Sequence, residues 1–248
     1  MSLPPHAPAT PLHLFALPCA GASATMYLRW RRALPAWITL TPLELPGRGS
    51  RLGEPYVLDF DQLVTQLTRE CVPQGRFVLF GHSMGALLAW GMAQRWREQG
   101  RPLPLALFVS GCAAPSQRDA TRYIAAGDDA ALIADLHKHG GTPDAVFDSP
   151  ELLRITLDTL GADYRVCESF NAQAAAALPL PIHVFAGLDD DIAPARIAAW
   201  RQASSRAFSQ DWFAGGHFFI RQQEAAVLAA LTQALVRDGV GHVATAMA

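Results

Sequence analysis

The chain has 248 residues, half of them hydrophobic and 17% charged, which suits one large α/β domain with a sizeable core. A net charge of −2 gives no electrostatic basis for binding nucleic acid. No run approaches 18 apolar residues and no charged-then-apolar leader is present, so we expect a cytoplasmic protein without a membrane segment. The four cysteines show neither metal-ligand spacing nor a C-x-x-C pair, and Cys71, Cys112 and Cys167 are interpreted as free thiols in a reduced compartment.

Short apolar runs alternate along the chain with helical patterns, which is typical of βαβ units and a mostly parallel sheet flanked by helices. The predicted strands are 12–17, 38–45, 76–80, 105–110, 182–186 and 208–213. Predicted helices run through Met26, Trp30 and Leu34, from a cap at Asp59 to Cys71, from 86 to at least 93, over 194–201 and over 218–236.

The alternation stops between about 114 and 178. This stretch has helical patterns at 128–137 and 150–169 and no predicted strand, so it is interpreted as a helical lid inserted between two sheet strands. One domain is expected over 12–236, with a flexible N-terminus at 1–11 and a flexible tail at 237–248. Nothing in the chain fixes the oligomeric state, and a monomer is the default expectation.

The central motif is Gly81-His82-Ser83-Met84-Gly85, which lies between a predicted buried strand and a predicted helix. G-x-S-x-G in a strand–turn–helix setting is a nucleophile elbow and predicts the α/β-hydrolase fold. The turn is so tight that the residues flanking the serine must be very small. We therefore expect Ser83 to be the nucleophile, with the Met84 N–H as one oxyanion donor at the positive end of a helix.

A serine hydroxyl needs a base, and on this fold the partners follow in the order serine, acid, histidine. His217 is the favoured base because two glycines precede it on the loop between the last predicted strand and the last helix. The acid should follow the strand at 182–186, where Asp189, Asp190 and Asp191 are adjacent. Spacing favours Asp190, with Asp189 as the alternative. The other two carboxylates must face solvent or cap a helix.

The second oxyanion donor is expected on the loop after the first strand. Ala20 is preferred and Cys19 is the alternative. Cys19 as the nucleophile itself is disfavoured, since no base is placed for it.

Several segments together resemble the type II thioesterases of nonribosomal peptide and polyketide synthesis. They cover about 12–235 and comprise LPCAGAS at 17–23, LELPGRGSR at 43–51 with Glu54-Pro55, GHSMG at 81–85, GGTP at 140–143, GLDD at 187–190, Trp200 and GGHF at 215–218. The P-G-R-G and G-G-T-P segments are the specific part, because a generic α/β-hydrolase has no reason to carry them. This chain has Cys19 where the family usually has histidine, and Ala22 where it has a second glycine.

The resemblance implies a stand-alone serine thioesterase that removes wrong or stalled acyl and aminoacyl groups from the phosphopantetheine arm of carrier proteins. It implies no metal and no organic cofactor, and it supports Asp190 as the acid. One alternative is a carboxylesterase or lipase that acts on free small esters with the same triad. A second alternative is a non-catalytic hydrolase-like binding protein, which would be expected to lack a triad residue.

Two further expectations concern the surroundings of Ser83. Apolar side chains of the lid are expected to shape an acyl chamber, namely Leu152, Leu153, Leu157, Leu160 and Tyr164. An arginine rim around the mouth of the pocket is expected to meet an acidic carrier protein, with the candidates Arg29, Arg31, Arg32, Arg48 and Arg51.

Overall fold

The computed structural model describes residues 11–119, 123, 127–171 and 175–241. Within these ranges six strands form one sheet in the order β2-β1-β3-β4-β5-β6, and every pairing is parallel. The strands are β1 Leu12–Leu17, β2 Ile38–Pro42, β3 Phe77–His82, β4 Leu107–Ser110, β5 Ile182–Gly187 and β6 Phe208–Phe213. The predicted α/β fold with a parallel central sheet is confirmed.

Helices lie on both faces of the sheet and in the insertion. They are α1 Trp30–Ala33, α2 Phe60–Glu70, α3 Met84–Glu98, α4 Asp129–His139, α5 Asp144–Phe147, α6 Pro150–Ser169, α7 Pro194–Ala198, α8 Phe219–Gln222 and α9 Glu224–Arg237. Short 3₁₀ turns occur at Ala24–Tyr27, Gly49–Arg51, Pro115–Gln117 and Ala199–Ala203.

The sheet is buried on both faces because successive strand residues point to opposite sides. Leu79 of β3 belongs to one hydrophobic cluster, together with Leu87 of α3. Its neighbours Val78 and Phe80 belong to the cluster on the other face, together with Leu231 of α9. This explains why β3 is apolar throughout rather than alternating, as expected for a parallel strand covered by helices on both sides.

Two predicted helices are interrupted. The pattern through Met26, Trp30 and Leu34 forms a 3₁₀ turn followed by the one-turn helix α1, because Tyr27 and Trp30 both turn inward against Phe80. The predicted terminal helix is divided into α8 and α9 by a non-helical residue at Gln223. Several predicted strand ends were also wrong, since β2 ends at Pro42 and β4 begins at Leu107.

The predicted cap is present, since the Asp59 side chain accepts a hydrogen bond from the Gln62 N–H at the start of α2. Of the predicted flexible ends, residues 1–10 and 242–248 lie outside the described residues. The first residues of the predicted tail are packed: Val240 is buried, and its carbonyl accepts a hydrogen bond from Arg76. No helix in the described part of the chain is long and apolar enough to cross a bilayer.

Candidate active site

The elbow lies where β3 ends at His82 and α3 begins at Met84. Ser83 has φ 55° and ψ −116°, and it is the one non-glycine residue with positive φ in the described ranges. Side chains at the two glycines would be impossible: a Cβ at Gly81 would overlap the Gly85 carbonyl, and a Cβ at Gly85 would overlap the Leu17 carbonyl. The Ser83 N–H donates to the Ser110 carbonyl at 2.7 Å, which ties the strained turn to β4.

The structure brings together the three residues predicted for catalysis. His217 Nε2 lies 3.0 Å from Ser83 Oγ, and His217 Nδ1 lies 2.9 Å from Asp190 Oδ2. The side chains of His217 and Asp190 are 9% and 5% exposed. In the tautomer that suits both contacts, Nδ1–H donates to the carboxylate and Nε2 accepts from the serine hydroxyl.

Two loops carry the acid and the base to the serine. Gly187 ends β5, and a Cβ there would lie 2.6 Å from the carbonyl oxygens of both Gly215 and Gly216. The Asp189 N–H donates to the Gly215 carbonyl at 3.0 Å, so the two loops are directly joined. Gly215 has φ 108°, which explains why a glycine precedes the histidine here.

Of the three adjacent aspartates, one side chain points inward and two face solvent, as expected for neighbouring carboxylates. Asp190 points inward to His217, while Asp189 is exposed. Asp191 is about half exposed and pairs with Lys138 of α4 at 2.5 Å. The structure therefore pairs His217 with Asp190 and not with the alternative, Asp189.

Both residues predicted as oxyanion donors lie at the cavity that holds the serine. Ala20 and Met84 line the same cavity as Ser83 and His217. The next N–H along, that of Gly21, donates instead to Asp163 Oδ2 of α6 at 2.8 Å. Cys19 also lines this cavity, but burial raises the pKa of its thiol to about 12, so it is protonated at neutral pH and unsuited to act as a nucleophile.

The remaining histidines near the site differ in their environments. His82 is fully buried, and its Nδ1 lies 2.9 Å from Ser110 Oγ rather than at the Ser83 hydroxyl. His183 is buried in β5, and its Nε2 lies 2.7 Å from Asp238 Oδ2. Sequence reasoning missed His139 of α4, whose ring centroid lies 5.1 Å from that of His217. Its place in the insertion gave no signal for this contact.

A cavity of about 220 Å³ extends from Ser83 beneath the lid. Of the five lid residues expected to shape it, Leu160 and Tyr164 line it. The expectation is wrong for the others: Leu157 is buried and Leu153 half-buried in a cluster within the lid, and Leu152 is 48% exposed. The further lid residues at this cavity are Tyr123, Asp135, Leu136, His139, Gly140, Gly141, Thr142, Pro143, Val146, Thr156 and Cys167.

The expected arginine rim is largely wrong. Arg48 is buried at 7% exposure and pairs with Asp163, and Arg51 pairs with Glu54 and Glu70. Exposed arginines at Arg29, Arg31 and Arg32 do not line the cavity that holds Ser83. The arginines that do line cavities at Ser83 and His217 are Arg118, Arg196 and Arg221.

Across the described residues, no group of three or more His, Cys, Asp or Glu side chains is placed to hold a metal ion.

Comparison with known proteins gives the family. Residues 12–235 match the family described as the Thioesterase domain. The chain is 32% identical to ClbQ from the colibactin NRPS/PKS pathway, with a TM-score of 0.86, covering 93% of this chain and 99% of that one. It is 36% identical to the type II thioesterase BorB from the borrelidin biosynthetic cluster, with a TM-score of 0.82, covering 92% and 94%.

A relative from Brevibacillus parabrevis, called linear gramicidin dehydrogenase LgrE, is 33% identical over 235 residues, which are 92% of this chain and 89% of that protein. Its name gives an activity that differs from the family description. The class defined by the fold and the site is that of the α/β-hydrolase serine enzymes. Within it, this chain belongs to the Thioesterase domain family and is a hydrolase.

Proposed function

We propose that this chain is a stand-alone serine thioesterase that hydrolyses acyl or aminoacyl thioesters on the phosphopantetheine arm of a carrier protein, and so clears misprimed or stalled synthetase modules. The observation that carries the proposal is the hydrogen-bonded series Ser83, His217, Asp190 at the mouth of a lidded cavity. Its place as a monomeric, cytoplasmic enzyme without a metal or organic cofactor belongs to the same proposal.

The proposed chemistry has two steps. Ser83 Oγ attacks the thioester carbonyl while His217 Nε2 takes its proton, and Asp190 stabilises the imidazolium that forms. The N–H groups of Ala20 and Met84 stabilise the oxyanion. The carbon–sulfur bond then breaks, and the leaving thiolate receives the proton from His217. Water, deprotonated by His217, attacks the acyl-serine ester. The bond between the acyl carbon and Ser83 Oγ then breaks, His217 returns the proton to Oγ, and the carboxylic acid is released.

Two observations support a carrier-bound substrate over a free ester. ClbQ is described as coming from the colibactin NRPS/PKS pathway, and BorB as a type II thioesterase from the borrelidin biosynthetic cluster. A second, smaller cavity of about 40 Å³ also reaches Ser83 and His217 and is lined by Arg118 and Arg196. An acyl group in one cavity and the arm in the other would place the thioester between them, at the serine.

Hydrolysis of matched substrates tests the function. The same acyl group is presented on a phosphopantetheinylated carrier protein, on coenzyme A and as a nitrophenyl ester, to the wild type and to Ser83→Ala. We expect the highest kcat/KM on the carrier protein and a loss of about 10⁴-fold or more in the variant. A strong preference for the nitrophenyl ester would favour the carboxylesterase alternative. Full activity of Ser83→Ala would refute the triad.

The role of the carrier protein has its own test at the second cavity. Arg196→Glu should raise KM for an acidic carrier protein at low salt and leave KM for a short N-acetylcysteamine thioester unchanged. Arg31→Glu is the matched control, because Arg31 is an exposed arginine of α1 that lines neither of the two cavities at Ser83. Equal effects of the two variants on the carrier-protein KM would remove Arg196 from the docking surface.

A further inference from the structure

Arg48 of the P-G-R-G segment forms an ion pair in the interior. Its Nη1 and Nη2 lie 2.5 and 2.6 Å from the two oxygens of Asp163, and the two side chains are 8% and 2% exposed. Removing two charges from water is so costly that a buried pair of this kind is weak evidence for stability. Its presence therefore calls for another explanation, and the remaining contacts of the pair supply one.

Both partners also hold the loop that carries Ala20. Asp163 Oδ2 accepts the Gly21 N–H at 2.8 Å, and Arg48 Nη1 donates to the Ala22 carbonyl at 3.2 Å. Asp163 and Arg48 therefore bind the two ends of the Gly21-Ala22 dipeptide, which follows the predicted oxyanion donor Ala20. Asp163 lies 142 residues from Gly21, so α6 of the lid reaches directly into the oxyanion loop.

The backbone of this dipeptide needs such a restraint. Gly21 has φ +74°, and a Cβ there would lie 3.3 Å from Leu160 Cδ1, three residues before Asp163 on α6. A glycine in this region moves between conformations more freely than any other residue. Because peptide planes are rigid, rotation at Gly21 would also turn the adjacent Ala20–Gly21 peptide and shift Ala20.

The P-G-R-G loop is itself held in place by close contacts at its two glycines. Gly47 packs against the ring of Tyr56, and Gly49 packs against the carboxylate of Glu44, so neither position has room for a side chain. Glu44 in turn accepts the Ala24 N–H at 3.0 Å, at the far end of the oxyanion loop. The loop therefore holds Arg48 in place and anchors the residues downstream of Ala22.

We propose that Arg48 and Asp163 are positioning residues that hold the oxyanion loop in its catalytic conformation and join it to lid helix α6. The inference rests on the proposed function, since it concerns the Ala20 donor of that reaction. It predicts that loss of the pair weakens stabilisation of the transition state and leaves substrate binding largely unchanged.

The decisive variant is the double substitution Arg48→Met, Asp163→Leu. Apolar replacement of both partners of a buried ion pair is often neutral or stabilising, so a folded protein is expected. We expect kcat on a short N-acetylcysteamine thioester to fall about 100-fold, as for a misplaced or lost oxyanion donor, with KM within about threefold of the wild type. The affinity for a peptidyl or acyl trifluoromethyl ketone, which forms a tetrahedral oxyanion on the serine, should fall by the same factor.

The matched control is Arg154→Met. Arg154 also lies on α6 and pairs with aspartates, at 2.6 Å from Asp129 and 2.7 Å from Asp158, but it is exposed and its ion pairs do not involve the oxyanion loop. Its kcat and its affinity for the ketone should match those of the wild type.

Arg48→Lys provides a second route if the double variant does not fold. The lysine keeps the charge but loses the bidentate geometry and the Ala22 contact, and about a tenfold loss of kcat is expected. Wild-type kcat and ketone affinity in either variant, once folded, would overturn the proposal. The proposed function fails separately: in that case the wild type itself would not hydrolyse the thioester, or Ser83→Ala would do so.

Discussion

Helix α6 and the C-terminal end of α4 both belong to the lid, and both contact loops of the proposed active site, but by different kinds of contact. The contact made by α6 is a buried, bidentate ion pair with an added hydrogen bond to the Gly21 backbone. The end of α4 makes an exposed ion pair from Lys138 to Asp191, and the nearby Gly141 carbonyl accepts a hydrogen bond from exposed Arg221.

This difference divides the lid into two parts. Separating a buried ion pair leaves unpaired charges in the interior, which is costly. We therefore expect α6 to keep its position relative to the sheet. Exposed ion pairs contribute little to the free energy of folding, because water can solvate both charges when the pair separates. The end of α4 and the G-G-T-P loop are therefore the parts of the lid able to move. Substrate entry is therefore expected through displacement of the C-terminal end of α4 and the G-G-T-P loop, while the loop that carries Ala20 stays held by α6.

The largest effect is expected from removing the Asp163 carboxylate, one partner of the ion pair made by α6. Asp163→Ala leaves the Arg48 guanidinium buried without its partner, which should lower the free energy of unfolding by about 3–5 kcal/mol. Urea denaturation monitored by tryptophan fluorescence measures this. A loss below about 1 kcal/mol would show that α6 is attached no more firmly than α4.

A smaller effect is expected at the G-G-T-P loop. Gly141 has φ +91°, and a Cβ there would lie 3.0 Å from Arg221 Nη1 and 3.2 Å from the Phe218 ring. Gly141→Ala should cost about 1–3 kcal/mol by backbone strain and should speed amide exchange at the end of α4. Gly53→Ala is the control, since a Cβ at Gly53 would meet no atom within 4 Å. Unchanged exchange in α4 would contradict the assignment of this loop as a contact point.

The pH dependence of stability should arise from two buried histidines of the sheet, His82 of β3 and His183 of β5. Burial lowers the pKa of His82 well below 6.5 and also lowers that of His183. The unfolded chain therefore binds more protons as pH falls below about 6.5, so stability is complete above that pH and declines below it. The slope is at most about 1.4 kcal/mol per pH unit for each histidine. Urea denaturation between pH 5 and 8 would contradict this if stability were flat or rose on acidification.

The smallest effect is expected at the exposed pair. Lys138→Met should change the free energy of unfolding by less than about 1 kcal/mol, and the change should vanish at high salt. Asp163→Ala should keep its large effect in the same buffer. If Lys138→Met lowered the free energy of unfolding as much as Asp163→Ala, and did so at every salt concentration, the proposed difference between the two parts of the lid would be wrong.

The strands, the elbow and the juxtaposition of Ser83, His217 and Asp190 were predictable because each depends on local patterns and on a fixed chain order. Ser83 is marked by flanking glycines, and His217 and Asp190 follow the last two strands, where parallel strands end at the same edge of the sheet. The Arg48–Asp163 pair was not predictable. Asp163 lies in an amphipathic helix 115 residues from Arg48, and neither residue type carries a signal of burial.

Secondary-structure errors had a similar origin. The helical pattern through Met26 and Trp30 is real, but two aromatic side chains are drawn into the core by Phe80, which local propensity does not register. The contact of His139 with His217 depends on how the lid folds over the sheet, and a pattern within α4 contains no information about that packing.

Mass spectrometry can detect the covalent acyl-enzyme that the proposed reaction forms on Ser83. The enzyme is mixed with an acylated carrier protein, quenched with acid within milliseconds, and digested to locate the added mass. We expect one acyl group, located on Ser83, that appears in the wild type and is absent from Ser83→Ala. Thioester hydrolysis with the acyl group on another residue, or undiminished in Ser83→Ala, would contradict it.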